Sequence, residues 1–89
     1  MEKLTIFVQR NCPYCRRALA WQQELTADDP ALAAVPVEVI DELEQPALAD
    51  RYDYYYVPSY FIGSEKLHEG AVTRQQVEQL LRQAAGRKD

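Results

Sequence analysis

Cysteine, histidine, glycine and methionine are scarce in this chain of 89 residues, which has two cysteines, one histidine, three glycines and one methionine. A structural zinc site almost always needs four ligands, so these cysteines and the histidine are too few for one. Acidic residues outnumber basic ones by 14 to 10, and the net charge of −4 argues against the basic face of a general nucleic-acid-binding protein. No apolar run approaches the length that spans a bilayer.

The lack of a long apolar run also bears on the compartment. The first ten residues, MEKLTIFVQR, contain an apolar stretch far too short for the hydrophobic region of a signal peptide. We therefore expect a cytoplasmic protein with no membrane or nucleic-acid partner, in surroundings that keep thiols reduced. The composition, 47% hydrophobic and 27% charged, is typical of a soluble globular protein. In so short a chain it predicts a single domain over residues 1–89, which we expect to be a monomer.

The hydrophobic pattern predicts strands and helices in the order βαβαββα. Runs rich in β-branched and apolar residues predict the strands, and prolines suited to the first helical position open two of the helices. The strands are predicted at residues 3–8, 35–40, 57–63 and 65–69, and the helices at 13–25, 46–52 and 73–85. Residues 26–34, TADDPALAA, are predicted as a loop with room for a helical extension.

The order of these elements predicts how they assemble. A parallel βαβ unit comes first and a hairpin through residues 63–65 comes second, so an α/β sheet covered by helices should result. The last helix should begin with a capping box, in which the Thr73 side chain accepts the backbone N–H of Gln76 and the Gln76 side chain reaches back.

Both cysteines lie in one short stretch, QRNCPYCRRA, at the junction between the first strand and the first helix. At that position Cys12 should face the unpaired N–H groups of the helix N-terminus, which stabilise a thiolate and lower a thiol pKa. Arg10, Arg16 and Arg17 add positive charge nearby. Cys15 lies one turn further into the helix and should be less exposed. This asymmetry predicts that Cys12 attacks a disulfide and that Cys15 resolves the mixed disulfide.

The cysteine pair has three other interpretations: a structural disulfide, part of a metal site, or an inert buried pair. A structural disulfide would close too small a loop to stabilise the fold much, and a reducing compartment would open it. A metal site would need His68, which the element order places in another strand. An inert pair of buried cysteines remains open. A C-x-x-C pair at the strand-to-helix junction of a βαβ unit is nevertheless the specific pattern of a redox couple.

The motif CPYC after a short first strand resembles the active site of dithiol glutaredoxins. The second half, DELEQPALADRYDYYYVPSYFI followed by HEGAVTRQQVEQLL, is similar to thioredoxin from its second helix to its last one. Together the two resemblances cover nearly the whole chain. They imply a thioredoxin fold, with a central mixed four-stranded sheet flanked by three helices.

The resemblance also implies roles for individual residues. Pro58 matches the cis-proline that packs beside the cysteines, and Val57 would offer its backbone N–H and C=O to an extended substrate. Tyr14 matches the aromatic residue that flanks the nucleophile in glutaredoxins. From the residues alone, an ordinary trans proline at position 58 is the alternative.

The chain departs from the glutaredoxin pattern where that family binds glutathione. Glutaredoxins have a Gly-Gly pair followed by an aspartate that holds the ammonium group of glutathione. Here Gly70 alone remains of the pair, and the aspartate position falls on Thr73 or Arg74. The carboxylates of glutathione could still form ion pairs with Arg10 or Arg51. We therefore expect glutathione to be a poor reductant.

These resemblances predict a thiol–disulfide oxidoreductase that acts on disulfide-containing proteins. Its electrons would come from glutathione as a co-substrate or, as we expect, from a flavoprotein disulfide reductase of the thioredoxin-reductase type, with no tightly bound cofactor. The alternative is a module that binds or transfers an iron–sulfur cluster with glutathione, as some glutaredoxins do.

The stretch YDYYYVPSY concentrates aromatic residues near the expected substrate groove. Core packing and an exposed rim for a protein partner are equally open for the cluster, although the strand residue Tyr60 and the helix residue Tyr52 should be core. His68 is expected to be a surface strand residue, and Trp21 a core anchor of the first helix.

Overall fold

The computed structural model describes residues 1–87, which form an open four-stranded mixed sheet with four helices. This confirms the expected α/β class. The elements, in chain order, are β1 (Leu4–Val8), α1 (Pro13–Asp28), α2 (Pro30–Ala33), β2 (Val37–Asp41), α3 (Pro46–Ala49), β3 (Ser59–Ile62), β4 (Glu65–Glu69) and α4 (Arg74–Gly86).

The expectation of three flanking helices was wrong, because the segment predicted as a loop contains the additional helix α2. Helix α1 runs to Asp28, and Pro30, which has no N–H to donate, then prevents its continuation. The carboxylate of Asp29 accepts the N–H of Ala31 at 3.0 Å and so caps the new helix. Leu32, only 1% exposed, anchors α2 in the core.

Strand β1 lies in the interior of the sheet, whose strand order is β2-β1-β3-β4. It pairs in parallel with β2 and antiparallel with β3, and all five of its residues are buried, as expected for a central strand. Phe7 pairs with Ser59. Because the pairing is antiparallel, the carboxyl end of β1 and the amino end of β3 lie at the same edge of the sheet.

Every predicted element except β4 differs from its predicted bounds by one to three residues at one end or both. Strand β2 begins at Val37, two residues later than predicted, and α3 ends at Ala49, before the predicted Tyr52. After Ala49 the chain continues as a tighter turn, in which Arg51 N–H donates to Leu48 C=O and Tyr52 N–H donates to Ala49 C=O, each three residues back.

The core consists of two clusters, one on each face of the sheet. The larger one joins β1 and β3 to α1, α2 and α4, and its members include Leu4, Ile6, Leu32, Tyr60, Leu80 and Leu81. The smaller one lies under α3 and contains Phe7, Ile40, Ala49 and Phe61. None of the helices within residues 1–87 is both long enough and apolar enough to cross a membrane.

The capping box of α4 is confirmed. Thr73 Oγ1 accepts the N–H of Gln76 at 3.1 Å, and Gln76 Oε1 accepts the N–H of Thr73 at 2.9 Å. Both residues are therefore engaged in starting the helix.

The fold predicts an unusual effect of removing one buried hydroxyl. Tyr60 is 0% exposed, and its hydroxyl has no hydrogen-bond partner within residues 1–87. An unpaired buried hydroxyl costs free energy, so Tyr60→Phe should raise the free energy of unfolding by about 1 kcal/mol, measured by urea titration. The matched control is Tyr54→Phe, which loses a 2.7 Å bond to Glu42 and should be destabilised by about 1 kcal/mol. Destabilisation of Tyr60→Phe would contradict this assignment.

Candidate active site

Cys12 is the N-cap residue of α1, at the edge of the sheet where β1 ends. Its backbone is extended, with φ −79° and ψ 122°, and its N–H donates to Gln9 C=O at 3.0 Å. Its own C=O accepts the N–H of Arg16 at 3.0 Å, and Pro13 occupies the first helical position. The Cys12 side chain is half-buried and lies beside the first turn of the helix, as expected.

The pKa of the Cys12 thiol is held below its ordinary value of 9.0. Burial by itself raises this pKa, but the nearby backbone N–H groups of Cys15 and Tyr14 and the thiol of Cys15 outweigh it, although the sulfur accepts no capping hydrogen bond from the helix. The positive charge of Arg17 lowers the pKa further. The thiolate form of Cys12 is therefore favoured.

The pKa of the Cys15 thiol is shifted in the opposite direction. Its side chain is 1% exposed, and this burial is the main cause that raises its pKa to about 12. The N–H of Gln9 acts in the opposite direction, whereas Cys12 and the carboxylate of Glu42 raise the pKa further. Both cysteines are free thiols in this structure. Cys15 therefore holds its proton under conditions in which Cys12 readily loses it.

The sequence predicts that the arginines near the cysteines add positive charge together, but the structure directs them to different partners. Arg10 donates to Glu44 at 2.9 Å and lies 3.8 Å from Asp41, on the side of the site that faces β2. Arg17 instead places its guanidinium carbon 5.2 Å from the centre of the Tyr14 ring. Tyr14 is 53% exposed beside the cysteines. Of the three predicted arginines, only Arg17 contributes to the lowered pKa of Cys12.

The Val57–Pro58 peptide bond is cis, which confirms that prediction. Pro58 is buried, and its C=O accepts the N–H of Gly70 at 2.9 Å. Gly70 has a φ of 93°, a conformation that favours glycine. Within residues 1–87, the N–H and C=O of Val57 have no hydrogen-bond partner. The pairing of Phe7 with Ser59 brings this segment to the edge of the sheet where Cys12 lies.

The tyrosine cluster divides between core and surface. Tyr60 is fully buried in the larger core cluster, and Tyr52 and Tyr54 are half-buried against Phe7, at ring centroid distances of 4.6 and 5.0 Å. Tyr55 and Tyr56 are 87% and 70% exposed. The cluster therefore contributes Tyr52, Tyr54 and Tyr60 to packing and leaves Tyr55 and Tyr56 exposed.

The positions that correspond to the glutathione-binding aspartate carry no carboxylate. Thr73 caps α4, and the guanidinium of Arg74 lies 3.6 Å from Glu24. His68 lies on β4, where its Nε2 is 3.1 Å from Ala71 C=O. Within residues 1–87, no three side chains among histidine, cysteine, aspartate and glutamate come together as a metal site would require.

Two acidic residues near the site were missed by sequence reasoning. Glu42 accepts the hydroxyl of Tyr54 at 2.7 Å and the side-chain amide of Gln9, and its charge raises the pKa of Cys15. Glu69 accepts backbone N–H groups from the loop before Pro58. Nothing in the sequence distinguishes these two from the other acidic residues of the chain.

No protein-family model matches the chain, and no curated protein is significantly similar to it. The small α/β architecture, the four-stranded sheet and the adjacent Cys12 and Cys15 are compatible with a thioredoxin-like fold.

The contrast between the two thiols predicts their order of alkylation. Cys12 should react first with iodoacetamide, with a midpoint below its ordinary value of 9.0, because its thiolate is stabilised. In Cys12→Ser, which lacks the Cys12 charge, burial should still hold the pKa of Cys15 above its ordinary value of 9.0, so Cys15 should react more slowly than Cys12. Alkylation rates measured against pH on Cys15→Ser and Cys12→Ser separate the two thiols, since each variant retains only one. Faster reaction of Cys15 near neutral pH would show that the roles are reversed.

Proposed function

We propose that this chain is a thiol–disulfide oxidoreductase with a thioredoxin-like fold, in which Cys12 is the nucleophile and Cys15 the resolving thiol. The observation that carries the proposal is the placement of two thiols one turn apart at a strand-to-helix junction, with Cys12 half-buried at the N-cap and its pKa lowered, and Cys15 buried and its pKa raised. Cysteines with a purely structural role do not need different pKa values. A two-step exchange reaction needs a thiolate for the first attack and a second thiol that ionises only for the second attack.

The first step uses the thiolate of Cys12. It attacks one sulfur of a substrate disulfide, forms a mixed disulfide with it and releases the other substrate sulfur as a thiolate, which takes up a proton. The half-buried position of Cys12 leaves its sulfur accessible to a substrate. The exposed ring of Tyr14 and the unpaired backbone groups of Val57 are the surfaces that would receive the chain on either side of the disulfide.

The second step uses Cys15 after its environment has changed. The charge of Cys12 and its hydrogen bond contribute to the raised pKa of Cys15, and formation of the mixed disulfide removes that charge. Cys15 then ionises more readily and attacks the sulfur of Cys12. A Cys12–Cys15 disulfide forms and the second substrate thiol leaves, so the substrate gains two electrons and the protein loses two.

A reductant must then return two electrons to the Cys12–Cys15 disulfide. Two molecules of glutathione would leave as glutathione disulfide, whereas a flavoprotein reductase would pass the electrons from NADPH. The reductase is favoured, because Thr73 and Arg74 offer no carboxylate to the ammonium group of glutathione. Arg10 is also already paired with Glu44. The reaction fits a reducing compartment such as the cytoplasm.

Replacement of Cys15 by serine should trap the first intermediate. Cys15→Ser retains the attack by Cys12 but cannot resolve the product, so a covalent adduct with a disulfide-bonded peptide should accumulate. Intact-mass spectrometry with and without dithiothreitol detects the adduct. Cys12→Ser is the matched control and should form none. If Cys12→Ser traps the peptide and Cys15→Ser does not, Cys12 is not the nucleophile.

The choice of reductant can be tested on the oxidised protein. We expect NADPH with thioredoxin reductase to reduce the Cys12–Cys15 disulfide faster than glutathione at the same concentration of reducing equivalents. Thr73→Asp keeps a residue that caps helices and adds a carboxylate, so it should make glutathione a better reductant. Thr73→Asn also caps but carries no charge, and should behave like the original chain. Rapid reduction by glutathione alone, with no response to the reductase, would overturn this choice of donor.

A further inference from the structure

The loop between α3 and the cis-proline, residues 53–57, is called the tyrosine loop here. Its most exposed side chains, Tyr55 and Tyr56, are 87% and 70% exposed and do not belong to either core cluster. Tyr54 packs against Phe7 and Val57 against the larger core cluster, but Tyr55 and Tyr56 between them have little apolar contact, and ordering their backbone costs conformational entropy. Other interactions must therefore hold it in place.

Glu69, at the end of β4, makes those interactions. One carboxylate oxygen, Oε2, accepts the backbone N–H of Tyr55 at 2.6 Å and that of Tyr56 at 2.9 Å. Charged acceptors make stronger hydrogen bonds than neutral ones. These bonds and the bond from Lys66 lower the pKa of Glu69 to about 2, so the carboxylate stays ionised at neutral pH.

Lys66 extends the contact to the start of the tyrosine loop. Its ammonium group donates to Glu69 Oε1 at 2.7 Å and to the C=O of Asp53 at 3.0 Å. Two side chains of β4 therefore tie the loop at positions 53, 55 and 56.

The end of the tyrosine loop is held by further bonds. The hydroxyl of Ser59 donates to Tyr56 C=O, and the N–H of Gly70 donates to Pro58 C=O at 2.9 Å. Tyr56 is thus bonded at both its N–H and its C=O. The N–H and C=O of Val57, between these bonded groups, have no partner within residues 1–87.

We propose that Glu69 is a positioning residue for polypeptide substrates: it holds the tyrosine loop so that the backbone of Val57 and the exposed rings of Tyr55 and Tyr56 meet the chain flanking the disulfide. The inference rests on the proposed oxidoreductase function. A small disulfide has no flanking chain to place on the backbone of Val57 or on the rings of Tyr55 and Tyr56, whereas a polypeptide disulfide has one. Glu69 therefore acts on the binding of polypeptide disulfides and not on the chemistry of Cys12.

The test uses a single turnover of the fully reduced protein, so that no external reductant is involved. Its rate of oxidation is measured against the concentration of insulin, a polypeptide disulfide, and of bis(2-hydroxyethyl) disulfide, a small one. Glu69→Ala should raise the half-saturating concentration of insulin about tenfold, as expected for the loss of hydrogen bonds to a charged group. Its maximal rate, its reaction with the small disulfide and the pKa of Cys12 should stay unchanged.

Three further variants separate positioning from a general loss of stability. Glu65→Ala removes a carboxylate from the same strand, where it pairs with Arg87 at 2.8 Å, and should leave insulin saturation unchanged. Glu69→Gln keeps an oxygen for the two N–H groups but turns an amide donor toward Lys66, so insulin binding should weaken. Adding Lys66→Met to Glu69→Gln removes that conflict and should restore part of the binding.

A half-saturating concentration of insulin that is unchanged in Glu69→Ala would overturn the proposal. Equal rises in the half-saturating concentrations of both disulfides would also overturn it. If Glu69→Ala does not fold, the test falls to Glu69→Gln. A half-saturating concentration of insulin equal to that of the original chain would then overturn the proposal. Amide hydrogen exchange gives a readout independent of activity, since the Tyr55 and Tyr56 amides should exchange faster in Glu69→Ala than in Glu65→Ala. If the original chain reduces neither disulfide, the proposed function fails, and faster exchange in Glu69→Ala would still support Glu69 as the group that holds the loop.

Discussion

The antiparallel pairing of β1 with β3 is the constraint on which the candidate site depends. Phe7 pairs with Ser59, so the chain leaving β1 and the chain entering β3 meet at one edge of the sheet. Cys12 follows the first of these ends and Pro58 precedes the second. Both strands are buried along their whole length, and a shift of one residue would turn their core side chains to the opposite face. The burial of the two strands therefore determines where the cysteine pair and the cis-proline segment lie.

At that edge, the start of α1 gives two identical side chains opposite properties. Cys12 lies outside the first turn, where N–H groups without helical partners are close enough to its sulfur to lower its pKa. Cys15 lies one turn further in and faces the core cluster that contains β1 and β3, where burial penalises its charged form. The difference in pKa thus follows from the distance of each residue from the end of the helix. No further catalytic group is needed to produce it.

Carboxylates from two different strand ends hold the segment that precedes the cis-proline. Glu42, which follows β2, accepts the hydroxyl of Tyr54, and Glu69, at the end of β4, accepts the N–H groups of Tyr55 and Tyr56. These bonds leave the last two rings free at the surface. Two of the 14 acidic residues therefore have a structural use beside the candidate active site.

The sequence by itself determined the features that one short segment makes alone. These are the strand-to-helix turn at Cys12 and the capping box of Thr73, while the cis bond before Pro58 followed from the resemblance to thioredoxin. Only the tertiary structure decided which tyrosines are buried, and it gave Glu69 its partners 13 and 14 residues away. It also decided that Arg10 turns to Glu44 and away from the cysteines. The physical reason is range: a turn or a cap depends on neighbours in the chain, whereas the partner of a charged side chain depends on how the strands pair.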